Sequence, residues 1–181
     1  MAKLAIGVDL GGTDIKAGVV DDAGRILSKI KRPTEPEGGR RAVIRNIAEA
    51  AEAARAEADV PWQRIAGVGL GSPGVFEMPR GLVRNSPNIR CLEGRELRQP
   101  VQRALNRKGL AVTLDNDANV AAYAESWIGA GKDKQTLVLF TLGTGIGGGV
   151  VLNGEVWRGA WGAAAELGHH IVRPDEPAYA S

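Results

Sequence analysis

Cysteine is almost absent from this 181-residue chain, in which Cys91 is the single example. An internal disulfide needs two cysteines and a cysteine-rich metal site needs several, so both are excluded. No apolar stretch approaches the roughly 20 residues that a membrane helix requires. Because residues 1–3 lead straight into a predicted strand, we expect no signal peptide. These absences predict a soluble, cytoplasmic protein that makes no membrane contact.

Charge of one sign is not in excess either. The net charge is +2, and the densest basic patch, Arg40–Arg45, opens a predicted helix, which is typical of a solvated helix face. A clustered basic footprint of the kind that binds nucleic acid is missing, so we expect no nucleic-acid partner. The hydrophobic fraction of 44% predicts a packed core rather than disorder.

Glycine, in contrast, is abundant, and seven of the 25 glycines lie in two short runs that separate predicted strands. The first run follows a strand at 4–9 and precedes strands at 15–20 and 25–30, which predicts a β-meander. A helix is predicted over Arg41–Ala58, with Val43, Ile44, Ile47 and Ala51 on its buried face. Further strands are predicted at 65–70, 110–114, 136–141 and 150–152, and further helices at 97–106 and 118–128.

The strand and turn order of residues 4–30 occurs again in residues 136–157. Each segment runs strand, glycine-threonine turn, strand, tight turn and strand, and the second tight turn is Asn153-Gly154. Two such segments in one chain predict a duplicated α/β architecture. We expect nucleotide phosphates to lie in a cleft between the two halves.

The first glycine run is Asp9-Leu10-Gly11-Gly12-Thr13. Two residues without a Cβ let backbone amides approach an anion, Thr13 adds a hydroxyl, and Asp9 is suited to hold magnesium through water. A plain hairpin turn is the alternative for this segment taken alone.

The second glycine run is Leu142–Gly149, with Gly143, Thr144 and Gly145 at its centre. It lacks the Walker lysine, and the strand predicted after it argues against a Rossmann dinucleotide site. Two glycine-threonine turns, one in each half, are what a two-sided phosphate clamp requires.

Two polar clusters complete the candidate site. Asp115–Asn119 follows a predicted strand; one of its side chains can cap the next helix, but four polar residues in five positions favour Asp117 as a general base. Glu166 and His169 stand three residues apart, which suits hydrogen bonds to sugar hydroxyls. A lone histidine is more often structural.

This ordered set of motifs resembles the ROK family (repressor, ORF, kinase). Asp9–Thr13 and Leu142–Gly149 match its phosphate motifs, Asn116–Asn119 its catalytic segment, Glu166–His169 its sugar-binding segment, and Gly71–Gly74 and Ser86–Asn88 the loops that flank its sugar pocket. The resemblance implies an α/β, actin-like ATPase fold with a ribonuclease-H-like core. It implies a glucokinase-like enzyme that uses ATP and Mg²⁺ to phosphorylate a hexose 6-hydroxyl, with glucose favoured.

The resemblance also implies a role for each motif residue. Asp117 would be the base, and Asn88, Asn116, Glu166 and His169 would hold the hexose. The ATP phosphates would lie on Gly11, Gly12, Thr13, Gly143, Thr144 and Gly145. We assign residues 1–118 to the first lobe, complete or nearly so, and residues 119–181 to the start of a truncated second lobe.

One departure from the family pattern concerns zinc. Family kinases follow the Glu-x-Gly-His segment with a cysteine-rich loop that binds zinc together with the histidine. No cysteine follows His169 here, and Pro177, next to Glu176, stands where a further sugar-binding glutamate is expected. We therefore expect no bound zinc.

Two other readings stay open. One is a sugar sensor without DNA binding, because only eight residues precede Asp9 and leave no room for the winged helix of the family's repressors. The other is an inactive remnant of a family protein. The choice among hexoses and a homodimer both stay open.

Overall fold

The computed structural model describes residues 3–78, 80–143 and 145–171. Its helices and strands, in chain order, are β1 (Leu4–Leu10), β2 (Asp14–Asp21), β3 (Ile30–Pro33), α1 (Gly39–Glu57), β4 (Ile65–Ser72), β5 (Val75–Glu77), β6 (Leu82–Asn85), α2 (Arg98–Leu105), β7 (Ala111–Asn116), α3 (Asp117–Trp127), β8 (Thr136–Leu142), β9 (Ile146–Leu152) and β10 (Glu155–Val156). The chain forms two compact units, Met1–Asp117 and Ala118–Ser181. Among the described residues, no helix combines the length and apolarity needed to cross a bilayer.

The first unit is built on a five-stranded sheet with the order β3-β2-β1-β4-β7. β1, β2 and β3 pair antiparallel in succession, which confirms the predicted meander. β4 pairs parallel to β1, and β7 pairs parallel to β4. The carboxyl ends of β1, β4 and β7 therefore meet at one edge of the sheet.

The core of this unit lies between one face of the sheet and two helices. Alternate residues of the strands, such as Ile6, Val68 and Leu114, are buried, as the period of two along a strand requires. They belong to one hydrophobic cluster with Val43, Ile44, Ile47 and Ala51 of α1 and with Val101 and Leu105 of α2. The buried helix face predicted from the sequence is thus confirmed.

The third strand lies later than predicted. It spans Ile30–Pro33 instead of 25–30, because the buried Ser28 interrupts the ladder. The Val19 N–H donates to Ser28 Oγ at 3.0 Å, and this hydroxyl donates to the Ala54 carbonyl of α1 at 2.7 Å. The Ser28 hydroxyl thus accepts the Val19 N–H in place of a backbone carbonyl of the third strand. Regular strand pairing begins only at Ile30, opposite Ala17.

The turn after β2 is held by the buried carboxylate of Asp21. It accepts hydrogen bonds from the backbone N–H groups of Ala23 at 3.0 Å and Arg25 at 2.9 Å. It also accepts a hydrogen bond from Arg25 Nε at 2.7 Å. The backbone hydrogen bond from Arg25, joined by its guanidinium, holds the pKa of Asp21 below the ordinary value of 3.8, against the opposing effect of burial.

We expect Asp21→Asn to lower the urea midpoint of unfolding at pH 7. Because the folded-state pKa of Asp21 is lowered, its stabilisation is fully present above the ordinary pKa and is lost as pH falls through the folded value. The gap between wild type and variant should therefore narrow as pH falls below the ordinary value of 3.8. Asp22→Asn, at the exposed neighbouring position, is the control that should change little. A gap that stays constant with pH would contradict this assignment.

The second unit contains a three-stranded antiparallel sheet with the order β10-β9-β8. This repeats the β3-β2-β1 order of the first unit, as the repeated strand and turn pattern predicted. Asn153 and Gly154 have φ angles of 53° and 79°, the left-handed conformation of a tight hairpin turn.

Most of the second glycine run lies in a strand, which corrects the predicted turn over 142–149. β9 already begins at Ile146, so only residues 143–145 connect β8 to β9. A Cβ on Gly149 would lie 2.5 Å from Ala122 Cβ and 2.8 Å from the Ala118 carbonyl oxygen. Glycine is needed there because α3 packs directly on β9.

Candidate functional site

The candidate site of the first unit lies at the sheet edge where β1, β4 and β7 end. Asp9 is paired in register with Gly71, and Gly71 with Asp115. Ser72 is opposite Asn116 in the last pair of the β4–β7 ladder. Open α/β sheets bind ligands outside the carboxyl ends of their strands, so this edge is a suitable place for a substrate.

The turn between β1 and β2 leaves little room for a Cβ at two of its glycines. The Gly11 N–H donates to the Asp14 carbonyl at 2.9 Å, and a Cβ on Gly11 would lie 2.8 Å from that oxygen. A Cβ on Gly12 would lie 3.2 Å from both Cβ and the carbonyl oxygen of Asn88. The structure thus places the predicted phosphate turn directly against a residue predicted to bind the hexose.

Asn88 is held beside Gly12 by its loop. The Ser86 N–H donates to Glu93 Oε1 at 3.0 Å, and the Ile89 N–H donates to the Ser86 carbonyl at 3.0 Å. Ser86 is fully buried. Sequence reasoning did not identify Glu93, whose only signal is an acidic residue a few positions after the Ser-Pro-Asn segment.

The loop that follows β4 connects Asn116 to the Asn88 loop. Asn116 Nδ2 donates to the Gly74 carbonyl at 3.1 Å. Gly74 has a φ of 117°, and a Cβ on it would overlap the Asn85 carbonyl oxygen. Gly74 therefore lies close to both Asn116 and the segment at 85–86 that precedes Asn88. Asp117, an exposed residue, follows Asn116 as the first residue of α3.

Exposed groups next to this turn are suited to bind magnesium. Asp9 is exposed and forms an ion pair with Lys16 at 3.4 Å, and Thr13 is also exposed. Mg²⁺ is commonly bound by one or two carboxylates together with substrate phosphates, and one carboxylate beside a phosphate turn fits that pattern.

A site made by the protein alone would need more ligands. In residues 3–78, 80–143 and 145–171, no group of three or more His, Cys, Asp or Glu side chains is placed to hold a metal ion. The segment after Ile171, where Glu176 and Pro177 were considered, lies outside the described residues. The absence of zinc therefore stays a prediction.

The second unit holds the remaining predicted residues. Gly143 donates its N–H to the Gly145 carbonyl at 2.9 Å, and a Cβ on either glycine would meet nothing within 4 Å. Thr144 lies outside the described residues. Glu166 precedes a short 3-10 helix, Leu167–His169, and its Oε2 lies 3.9 Å from His169 Nε2, so the spacing of three does place these two side chains together.

Known proteins are similar to this chain in both sequence and fold. The chain is 43% identical over 178 residues to the glucokinase of Thermotoga maritima, covering 98% of this chain and 54% of that protein. Its fold is similar to the ROK hexokinase of Thermus thermophilus, with a TM-score of 0.83, 44% identity, and coverage of 97% of this chain and 56% of that one.

A ROK family glucokinase from Streptomyces griseus, solved in complex with glucose and AMPPNP, matches with a TM-score of 0.78 and 41% identity over 95% of this chain and 52% of that one. The fold is therefore the mixed α/β, actin-like ATPase fold of these sugar kinases. The chain spans about half the length of the curated relatives it matches.

Not every relative is named as a kinase. A xylose repressor of Caldicellulosiruptor bescii is 30% identical over 167 residues, which is 92% of this chain and 41% of that protein. The model of the ROK family matches residues 5–179, nearly the whole sequence. The chain belongs to the ROK family.

Proposed function

We propose that this chain contributes to the ATP-dependent phosphorylation of a hexose 6-hydroxyl, with glucose as the favoured substrate. The observation that carries this proposal is the close approach of Gly12 to Asn88, which leaves little room for a Cβ at residue 12. A turn suited to phosphate and an amide suited to a sugar hydroxyl are adjacent, as the transfer of a phosphoryl group between two bound substrates requires.

In this proposal the ATP phosphates lie against the turn formed by Gly11, Gly12 and Thr13, where the Gly11 N–H is bonded to the Asp14 carbonyl and the Gly12 N–H supplies the phosphate contact. We propose that Gly143, Thr144 and Gly145 also contact the phosphates. Asp9 holds Mg²⁺, through water, beside the first turn. When bound, Mg²⁺ neutralises charge on the transferred phosphoryl group.

Asn88, Asn116, Glu166 and His169 hold the hexose by hydrogen bonds. The Asn116 amide is already oriented by the Gly74 carbonyl, which reduces the entropy lost on binding. Asp117, next in the chain, takes the proton from the attacking hydroxyl. We further propose that residues 1–118 form the first lobe and residues 119–181 the beginning of the second.

A sugar sensor is the second candidate, and the similarity to a xylose repressor is the observation that favours it. A sensor needs the hexose contacts but needs no base and no phosphate turn. Asp117 and the glycine turn at 11–13 therefore favour the kinase over the sensor.

Binding experiments test the proposal on the chain itself. Addition of glucose should shift the amide NMR signals of Asn88 and Asn116, and addition of Mg²⁺ with AMPPNP should shift those of Gly11, Gly12 and Thr13. Loss of one hydrogen-bonded partner typically costs about 1–3 kcal/mol, so Asn88→Ala should weaken glucose binding by about 5- to 150-fold. Asn106→Ala, at an exposed position after α2, is the control.

Glucose shifts without any nucleotide shifts would favour the sensor. No shift at either set of residues, or equal effects of Asn88→Ala and Asn106→Ala, would contradict the proposed site.

A further inference from the structure

The predicted phosphate turn, residues 11–13, is hydrogen-bonded to Thr34. No sequence motif identified this threonine. Thr34 directly follows β3 and is fully buried. Its Oγ1 donates to the Gly11 carbonyl at 2.7 Å, and its N–H donates to the Thr13 carbonyl at 2.8 Å. One residue thus binds two of the three carbonyls of the glycine-threonine turn.

These two hydrogen bonds orient the amides of the turn. In a planar trans peptide, the C=O of one residue and the N–H of the next point in opposite directions. Because Thr34 holds the Gly11 carbonyl, the Gly12 N–H points away from Thr34. The same reasoning applied to the Thr13 carbonyl directs the Asp14 N–H away from Thr34.

Thr34 is in turn held by Asn46 of α1, whose side chain is buried. Asn46 Nδ2 donates to the Thr34 carbonyl at 3.2 Å, to the Pro33 carbonyl at 3.4 Å and to Glu35 Oε2 at 3.0 Å. An amide group in the middle of an otherwise apolar helix face costs burial free energy unless it is bonded. The three acceptors of its Nδ2 are all in the bend that presents Thr34 to the turn, and its Oδ1 accepts from the Arg45 guanidinium at 3.3 Å.

We propose that Thr34 is a positioning residue for the phosphate turn, with Asn46 as its support. Thr34 fixes the Gly11–Gly12 and Thr13–Asp14 peptide planes before a phosphate arrives, so that the Gly12 N–H already points away from Thr34. The role for phosphate rests on the proposed function; the role in fixing the turn does not.

The test compares Thr34→Val, which removes the hydroxyl but keeps the shape, with Thr34→Ser, which keeps the hydroxyl. Ser28→Ala is the matched control, because Ser28 also has a buried hydroxyl that donates to a backbone carbonyl, that of Ala54. All variants are made in the full chain. Amide hydrogen exchange is measured by NMR without ligand, and Mg-ATP binding is measured by calorimetry.

We expect Thr34→Val to speed exchange of the Gly11 amide and to weaken Mg-ATP binding, each by about tenfold, the effect of one lost hydrogen bond. Thr34→Ser should restore most of both, and Ser28→Ala should lower stability without altering the turn amides. If Thr34→Val does not fold, Asn46→Ala should give a smaller change at the same amides.

Turn amides in Thr34→Val that exchange as in Ser28→Ala would overturn the proposal and leave Thr34 as a structural residue only. A faster-exchanging turn with unchanged Mg-ATP affinity would overturn the role for phosphate. If the wild-type chain binds no Mg-ATP, the ATP part of the proposed function fails, while the exchange rates still decide whether Thr34 positions the turn.

Discussion

Asp117→Asn should lower the turnover number for hexose phosphorylation by about 10²–10⁴, the usual contribution of a general base. The amide has nearly the same shape as the carboxylate and can still hydrogen-bond a sugar hydroxyl. It cannot accept the proton that the attacking oxygen releases. Glucose affinity should therefore be largely retained while turnover is lost.

The measurement is best made in a chain completed with the second half of the Thermotoga maritima glucokinase, because this chain spans 54% of that protein's length. Asp133→Asn is the control: Asp133 is exposed, and its φ of 66° is a conformation that asparagine adopts readily. Near-normal turnover of the Asp117→Asn variant would show that Asp117 is not the base. If the Asp117→Asn variant no longer binds glucose, Asp117 is a sugar-binding residue.

Gly12→Val should weaken the binding of both Mg-ATP and glucose. The Cβ alone would lie 3.2 Å from Asn88 Cβ and from its carbonyl oxygen, so two further methyl groups must push the turn and the Asn88 loop apart. Overpacking of this kind costs about 1–3 kcal/mol of folding free energy. Loss of one ligand hydrogen bond in the displaced turn or loop should lower the corresponding affinity by about tenfold. Calorimetry with each ligand measures the effect.

Gly7→Val is the matched control for Gly12→Val. Gly7 lies in β1, and a Cβ there would meet nothing within 4 Å, while valine suits a strand. Gly7→Val should leave both affinities unchanged. If Gly12→Val affects Mg-ATP and leaves glucose binding intact, the turn and Asn88 do not belong to one site.

Local patterns were enough to predict the meander, α1 with its buried face, and the Asn153-Gly154 turn. The third strand was misplaced because the sequence around Ser28 does not reveal that its hydroxyl is bonded to α1, at a residue 26 positions away. The glycines at 147–149 were assigned to a turn because glycine usually breaks strands. Gly147 and Gly149 lie close to Ala118 and Ala122 of α3, and Gly148 lies close to Ala165 and Leu167. Periodicity does not reveal these close approaches.

Only part of the candidate site could be predicted, because its contacts also join segments that are distant in the sequence. Motif order identified Gly12, Asn88 and Asn116 as separate elements. The structure adds that Gly12 lies close to Asn88 and that Asn116 donates a hydrogen bond to the Gly74 carbonyl. Thr34 and Glu93 were missed because each acts through a hydrogen bond to a distant segment. Threonine and glutamate in such positions carry no signal of their own in one sequence.

The most direct test of the account is transfer of the γ-phosphoryl group of ATP to glucose by the chain completed with the Thermotoga maritima second half. The product is identified by mass spectrometry and by NMR of the phosphorylated carbon. We predict a Mg²⁺-dependent glucose 6-phosphate that disappears with Asp117→Asn. A completed chain that binds glucose and Mg-AMPPNP yet phosphorylates no hexose would contradict the kinase assignment.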